Sequence, residues 1–332
     1  MLRTGVLLFA AVAASACGGT DDKRNAGWKR VVPGGDCRCS DGSEFSFWVR
    51  EANPKKVVFY LQDGGACFSA ETCAPERDLY NASIGPDDGP AGTGGIFAFA
   101  DERNPFADYS VVFVPYCTAD VHIGNVTKKY APGLTVRHKG YVNGTAALDH
   151  LANTFPGATD VVVVGESAGS IASPLYAGLA SDRLPQARIT ALAHGSGSYP
   201  DAPRFNKLIA AWGRIGEQRS FPGLFIESGR RDPEIVFARV DYAYDETQSS
   251  RHPRGGVPAG GLLSLIDANE IQIEGAGVNL LSYVAPGREH VVLTDGPFYT
   301  EQVNGVKLVD WVTRLVEGDA VKDVHCKQCT TD

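Results

Sequence analysis

The stretch Val161-Val-Val-Val-Gly165-Glu166-Ser167-Ala168-Gly169 places a serine between two glycines at the end of an apolar run, and a second apolar stretch starts at Ser170. The valines suit a buried strand and the second stretch a helix. Glycines at 165 and 169 allow a turn between them too tight for larger side chains. Such a turn lifts Ser167 Oγ clear of the sheet at a helix N-terminus, where free N–H groups and the helix dipole favour negative charge. A serine held this way is a candidate nucleophile. It needs a base to take its proton and a carboxylate to hold the base in one tautomer.

On a strand–turn–helix of this kind the acid and then the histidine follow the serine along the chain. His290, in Gly287-Arg-Glu-His290, stands on a loop after the predicted strand Leu280–Pro286 and is the candidate base. His325 sits among the terminal cysteines and reads as structural, while His194 precedes every candidate acid and reads as a packing residue. Three acids compete. Asp232 follows Arg230 and Arg231, which would pair with it at the surface, and the run before it, Leu224–Glu227, is a poorer strand than Ile235–Val240. Asp241 and Asp245 lie just beyond that better strand, and spacing leaves both open. A developing oxyanion needs backbone donors. The candidates are the N–H groups of Ala168, next to the serine, and of Gly64 and Gly65, after Val57-Val-Phe-Tyr-Leu.

These residues must be positioned by a framework, and apolar runs supply one. Strands are predicted at Val57–Leu61, Ser110–Pro115, Val161–Gly165, Ile189–His194, Ile235–Val240 and Leu280–Ala285. Most are continuous rather than alternating, as in parallel strands buried on both faces. Helices are predicted between them at Val142–Phe155, Ser170–Arg183, Arg204–Gly216, Gly261–Ile273 and Val306–Val316. The alternation indicates a single-domain α/β architecture, a mainly parallel doubly wound sheet. Gly85–Gly95 and Arg251–Gly261 read as loops, and no internal repeat is visible.

The chain has 332 residues, 43% hydrophobic and 21% charged, enough apolar material for one large core. Its net charge of −8 excludes a general nucleic-acid binder, which needs a basic face. Residues 1–16 carry Arg3 and an apolar run, Gly5–Ala14, too short to span a bilayer. They read as a signal peptide, followed by Cys17, a lipidation candidate, and a polar tether over 17–26; residues 27–332 are the catalytic domain. An envelope or secreted protein is expected, touching a membrane only through a lipid on Cys17. In such a compartment the cysteines read as disulfides. Cys326-Lys-Gln-Cys329 has zinc-like spacing but no second pair to complete a site.

Several ordered segments together resemble the pectin acetylesterase family, which includes the Notum carboxylesterases. They are Leu61-Gln-Asp-Gly-Gly-Ala-Cys67-Phe, Asn104-Pro105, Val114-Pro-Tyr116-Cys117-Thr-Ala-Asp120-Val-His-Ile-Gly124, the Gly165–Gly169 turn, Tyr244-Asp245-Glu-Thr-Gln248 and His290. Phe298-Tyr299, Asp310-Trp311-Val312 and the final cysteine pair resemble the family's C-terminal end. The resemblance implies an α/β-hydrolase fold and ester hydrolysis with no metal or organic cofactor. It selects Asp245 as the acid and implies Cys67–Cys73 and Cys39–Cys117 bridges, leaving Cys37, Cys326 and Cys329 unassigned. Asp63 replaces a glycine of the family pattern, and Gly65 and Ala66 stand where relatives carry tryptophan. An acetyl ester of a plant cell-wall polysaccharide is the first substrate expectation, with Arg251 and Arg254 as a local basic rim. The alternatives are a short-chain or polyester-cleaving esterase, a serine peptidase, and a non-catalytic surface binding protein on the same fold.

Overall fold

The structure, a computed structural model, describes residues 27–90, 94–213, 220–251, 259–327 and 329. The expected signal peptide, Cys17 and its tether lie outside the described residues, as does Arg254. Nine strands form one sheet. They are β1 (Trp28–Val31), β2 (Phe47–Arg50), β3 (Asn53–Leu61), β4 (Tyr109–Val114), β7 (Asp160–Glu166), β8 (Arg188–His194), β9 (Val236–Tyr242), β10 (Leu280–Ala285) and β13 (Val324–His325). Their spatial order is β1-β2-β4-β3-β7-β8-β9-β10-β13. The β1–β2 and β2–β4 pairs are antiparallel, and every pair from β4 to β13 is parallel. This is the α/β-hydrolase type of sheet, and its central strands are the predicted apolar runs. Two hairpins stand apart, β5 (Val126–Ala131) with β6 (Leu134–His138) and β11 (Gln302–Val303) with β12 (Val306–Lys307).

Alternation along each central strand feeds two cores. Val57, Phe59, Leu61, Val161 and Val163 point into one, against α1 (Gly140–Thr154), α2 (Ala168–Arg183) and α4 (Phe221–Arg231). Val58, Tyr60, Val162 and Val164 point into the other, against α7 (Leu308–Glu317) and Phe97, Phe106 and Phe113. Each valine removed from water in this way contributes about 1.5–3 kcal/mol. Helix α2 contains Pro174, which has no N–H to offer the Ser170 carbonyl. Ser173 Oγ donates to that carbonyl instead, at 2.9 Å. The remaining helices are α3 (Pro203–Ala210), α5 (Glu246–Arg251) and α6 (Ala259–Gly275), and none among the described residues is long and apolar enough to cross a membrane.

The structure departs from the sequence reading in places, each with a local cause. Val306 opens no helix: Asn304 and Gly305 both take positive φ, 50° and 84°, and form a two-residue hairpin turn, so α7 starts at Leu308. The run Leu224–Glu227 lies inside α4, which Ser220 caps by accepting from Gly223 N. Arg231 pairs with Asp182 on α2 rather than with Asp232. Strands β1, β2, β5 and β6 went unpredicted: β1 is a sheet edge, β2 between β1 and β4 is only four residues long, and β5 and β6 form a small hairpin. There, polar residues such as Lys29, Arg30 and Lys128 interrupt the apolar pattern.

Disulfides join Cys39 to Cys117, Cys67 to Cys73 and Cys326 to Cys329, and Cys37 is a buried free thiol. The first spans a sequence separation of 78 and the second of 6. Loop-closure entropy alone assigns them about 4.5 and about 2 kcal/mol.

Candidate active site

The turn after β7 is built by exclusion. A Cβ on Gly165 would stand 2.3 Å from the Gly169 carbonyl oxygen, and one on Gly169 would stand 2.0 Å from the Leu61 carbonyl oxygen. Only glycine lets the turn close on itself and lets α2 press against the end of β3. Ser167, between them, has φ 48° and ψ −111°, a conformation that residues with side chains seldom adopt. Its N–H is fixed by the His194 carbonyl at 2.8 Å. Ala168 is the first residue of α2, where N–H groups have no partner within the helix.

The fold brings Ser167, His290 and Asp245 together. Ser167 Oγ lies 2.7 Å from His290 Nε2, and His290 Nδ1 lies 2.7 Å from Asp245 Oδ2. The acceptor-only carboxylate assigns the ring proton to Nδ1, which leaves Nε2 to accept from the serine hydroxyl. Asp245 is fully buried and takes two more hydrogen bonds, from Gln248 N to Oδ1 at 2.8 Å and from Gln248 Nε2 to Oδ2 at 2.9 Å. Gln248 is held in turn: its Oε1 accepts from Ser198 Oγ at 2.7 Å and from Ser198 N at 3.1 Å. Asp241, the rival acid, is engaged elsewhere. It accepts from Gly197 N at 2.8 Å and from Gln248 Nε2 at 3.3 Å, and faces Arg239 Nε at 3.6 Å. Burial holds its carboxyl above the usual range, and Arg239 opposes that.

Adjacent strands β9 and β10 carry the acid and base loops, and these fasten to one another. Tyr244 N donates to Gly287 O, Glu246 N donates to Arg288 O, and the Arg288 and Glu246 side chains pair at 2.7 Å. The other side of the base loop is tied to the serine turn by Glu166. This buried carboxylate accepts from Tyr60 OH at 2.7 Å, Leu293 N at 3.0 Å and Thr294 Oγ1 at 3.0 Å. His194, also buried, stands beside it with Nδ1 3.4 Å from Glu166 Oε1. Glu166 stays below the ordinary carboxyl range because these partners, His194 foremost, outweigh its burial.

Gly64 and Gly65 follow β3, whose last residue, Leu61, is in register with Gly165. Four contacts hold this loop. His122 Nε2 donates to Gln62 O at 2.8 Å, Gln62 Oε1 accepts from Tyr116 N at 3.0 Å, Cys67 N donates to Ala119 O at 3.1 Å, and Trp212 Nε1 donates to Cys67 O at 3.1 Å. Burial pushes His122 down to about 4, so it serves as a neutral donor. The Tyr116 ring packs so closely that a Cβ on Gly64 would stand 2.2 Å from it. Gly64→Ala is therefore expected to displace the loop and lower kcat by about 10²–10³-fold, the usual cost of a lost oxyanion donor. Steady-state kinetics checks this, and an unchanged kcat would remove Gly64 from the proposed donor set. Asp63, next to Gly64, is exposed to solvent. The surrounding walls and the Glu166 carboxylate raise its pKa, and His290 partly offsets them.

The sequence profile of the pectinacetylesterase family matches residues 32–210 of this chain, more than half of it. The chain belongs to the pectinacetylesterase family. Among curated relatives it is similar to palmitoleoyl-protein carboxylesterase notum2 of Xenopus laevis, 34% identical over 94 residues, 27% of this chain and 19% of that protein. It is similar to palmitoleoyl-protein carboxylesterase NOTUM of Schmidtea mediterranea, 31% identical over 148 residues, 40% of this chain and 26% of that protein. It is also 31% identical over 121 residues to an inactive palmitoleoyl-protein carboxylesterase, notum1b of Danio rerio, covering 34% of this chain and 82% of that protein. The matches to the first two relatives thus span only about a fifth to a quarter of their length. Among solved structures, the Wnt deacylase Notum from Drosophila superposes with a TM-score of 0.69 at 17% identity, covering 92% of this chain and 98% of that one, a likeness of fold.

The family match includes Ser167 and the Gly64–Gly65 loop and stops short of Asp245 and His290. The residues that hold this site in place were harder to find from the sequence. Gln248 was visible as the last residue of a family-like segment, and Glu166 as a charge at the end of a buried strand. Tyr116 and His122 were visible only as members of the family-like segment Val114–Gly124, and Trp212 carried no local signal, because its partner Cys67 is remote in the chain.

Proposed function

We propose that this chain is a carboxylic ester hydrolase that works through an acyl-enzyme on Ser167. The observation that carries the reading is the pair of 2.7 Å contacts linking Ser167, His290 and Asp245. Ser167 Oγ attacks the ester carbonyl carbon as His290 Nε2 takes its proton. The carbonyl oxygen gains the negative charge, and the N–H groups of Gly64, Gly65 and Ala168 receive it. The tetrahedral adduct collapses, the C–O bond to the alcohol breaks, and His290 returns the proton to the departing oxygen. A water molecule, deprotonated by the same imidazole, then releases the acid and restores the serine. Asp245 orients the ring and stabilises its cationic form.

An acetyl ester on a polysaccharide is the proposed substrate, supported by membership in the pectinacetylesterase family. Export is proposed with it, supported by three disulfides, which persist in oxidising compartments. Two measurements test the function. A fluorophosphonate probe is expected to label the parent protein and not Ser167→Ala; absence of labelling on the parent would mean a binding protein rather than an enzyme. Release rates from acetyl, butyryl and octanoyl p-nitrophenyl esters, beside acetylated pectin and xylan, are expected to favour acetyl. Faster octanoyl release would overturn the short-acyl assignment while leaving the hydrolase intact.

A further inference from the structure

The segment 118–124, between β4 and β5, is folded against the preference of its residues. Ala119, Val121 and His122 all take positive φ, 55°, 47° and 61°. None is glycine, and Val121 is β-branched, so contacts from the surroundings must impose this conformation. Asp120, at its centre, is fully buried and supplies two of them. Its Oδ1 accepts from Thr118 Oγ1 at 2.6 Å, and its Oδ2 accepts at 2.7 Å from the N–H of Gly140, the first residue of α1. The carboxylate fits closely: a Cβ on Gly124 would stand 2.4 Å from Oδ2, and one on Gly140 would stand 2.2 Å from Oδ1.

Each of the three residues at positive φ makes one contact that reaches the loop of Gly64 and Gly65. Ala119 O accepts from Cys67 N at 3.1 Å, and His122 Nε2 donates to Gln62 O at 2.8 Å, so the loop is pinned on both sides of the two glycines. Val121 N donates to Tyr116 OH at 2.7 Å, and the Tyr116 ring is the surface on which Gly64 lies. A fourth bond runs to the serine's helix: Tyr176, on α2 with Ala168, donates to His122 O at 2.9 Å. The segment held by Asp120 thus touches every element that carries an oxyanion donor.

We propose that Asp120 is a positioning residue for ester hydrolysis: by fixing the segment 118–124 it sets where the N–H groups of Gly64 and Gly65 point. The inference rests on the reading of those groups as oxyanion donors. Such donors must stand about 2.7–3.1 Å from the oxygen as it becomes charged, so a small shift of the loop weakens them. The loss falls on the transition state more than on the bound ester, and therefore on kcat more than on KM.

A trifluoromethyl ketone inhibitor gives the test. Ser167 Oγ bonds to the ketone carbon, its proton passes to His290, and the carbonyl π pair becomes an oxyanion held by the same N–H groups. The inhibition constant Ki reports the quality of folded sites and not their number, so a purely structural loss leaves it unchanged. Asp120→Ala is expected to raise Ki and lower kcat for p-nitrophenyl acetate, each by about 10²-fold, with KM moved less than about threefold. Asp120→Asn keeps an acceptor for Gly140 N and offers Thr118 Oγ1 an amide N–H, so it should bring Ki back to within about tenfold of the parent's. If Asp120→Ala does not fold, Thr118→Val decides in its place, with Ki expected about three- to tenfold above the parent's because one bond to the carboxylate is gone. Val309→Ala, on α7 in the opposite core, should lower Tm and leave Ki unchanged. A Ki equal to the parent's in the deciding variant would overturn the role of Asp120. Gly64→Ala, measured beside it, separates the two readings. If Ki rises there and not in the deciding variant, Asp120 alone loses its role; if it rises in neither, the oxyanion assignment of the glycine loop falls as well.

Discussion

Ser167→Ala is expected to reduce p-nitrophenyl acetate turnover by about 10⁴-fold or more, to the level left by the oxyanion donors and binding alone. The hydroxyl removed is the group that would form the covalent bond, so no neighbouring side chain can replace it. Its side-chain partner is His290 Nε2 at 2.7 Å, a part-buried contact whose loss strands no fully buried group. The variant should therefore fold like its parent, with similar Tm and circular dichroism. That separation matters, because a drop in activity with an intact fold assigns chemistry rather than stability. Turnover within tenfold of the parent would reject Ser167 as nucleophile.

Asp245→Asn is expected to cost nearly as much, about 10⁴-fold in kcat/KM or about 5.5 kcal/mol of transition-state stabilisation. The reason lies in hydrogen-bond polarity. Gln248 N donates to Oδ1 and cannot reverse, so the asparagine oxygen must take that position. The amide NH₂ then occupies the place of Oδ2 and faces His290 Nδ1, which must become an acceptor. The ring proton moves to Nε2 and points at the serine, where a lone pair was needed. Volume is unchanged, but the same NH₂ also meets Gln248 Nε2, so Tm should fall by the cost of one lost buried hydrogen bond, about 1–3 kcal/mol, still less than the loss in activity. Fluorophosphonate labelling should slow in parallel with turnover, since both need the activated serine. Loss of less than tenfold would show that the imidazole is oriented without Asp245.

Contiguous features were readable directly. The valine run, the two glycines and the apolar helix around Ser167 describe a turn whose geometry depends on neighbours in the chain, and the structure adds only what each glycine touches. The central parallel strands were equally legible, because burial on both faces demands unbroken apolar runs. The edge strands were not, because solvent on one side permits lysine and arginine within them.

The acid shows where such reading ends. Asp232, Asp241 and Asp245 all follow the serine at plausible spacing, and family resemblance rather than local pattern favoured the last. Geometry separates them through strand order: β9 lies beside β10, so the loop holding Asp245 meets the loop holding His290, while Asp241 remains within its strand facing Gly197 and Arg239. The Glu166 tie and the grip of His122 and Trp212 on the Gly64 loop likewise join residues that are meaningless to one another until the sheet forms. Local conformation is governed by backbone sterics and side-chain period, which adjacent residues encode. Contact between distant residues is governed by register and strand order, which emerge only when the whole core is packed at once.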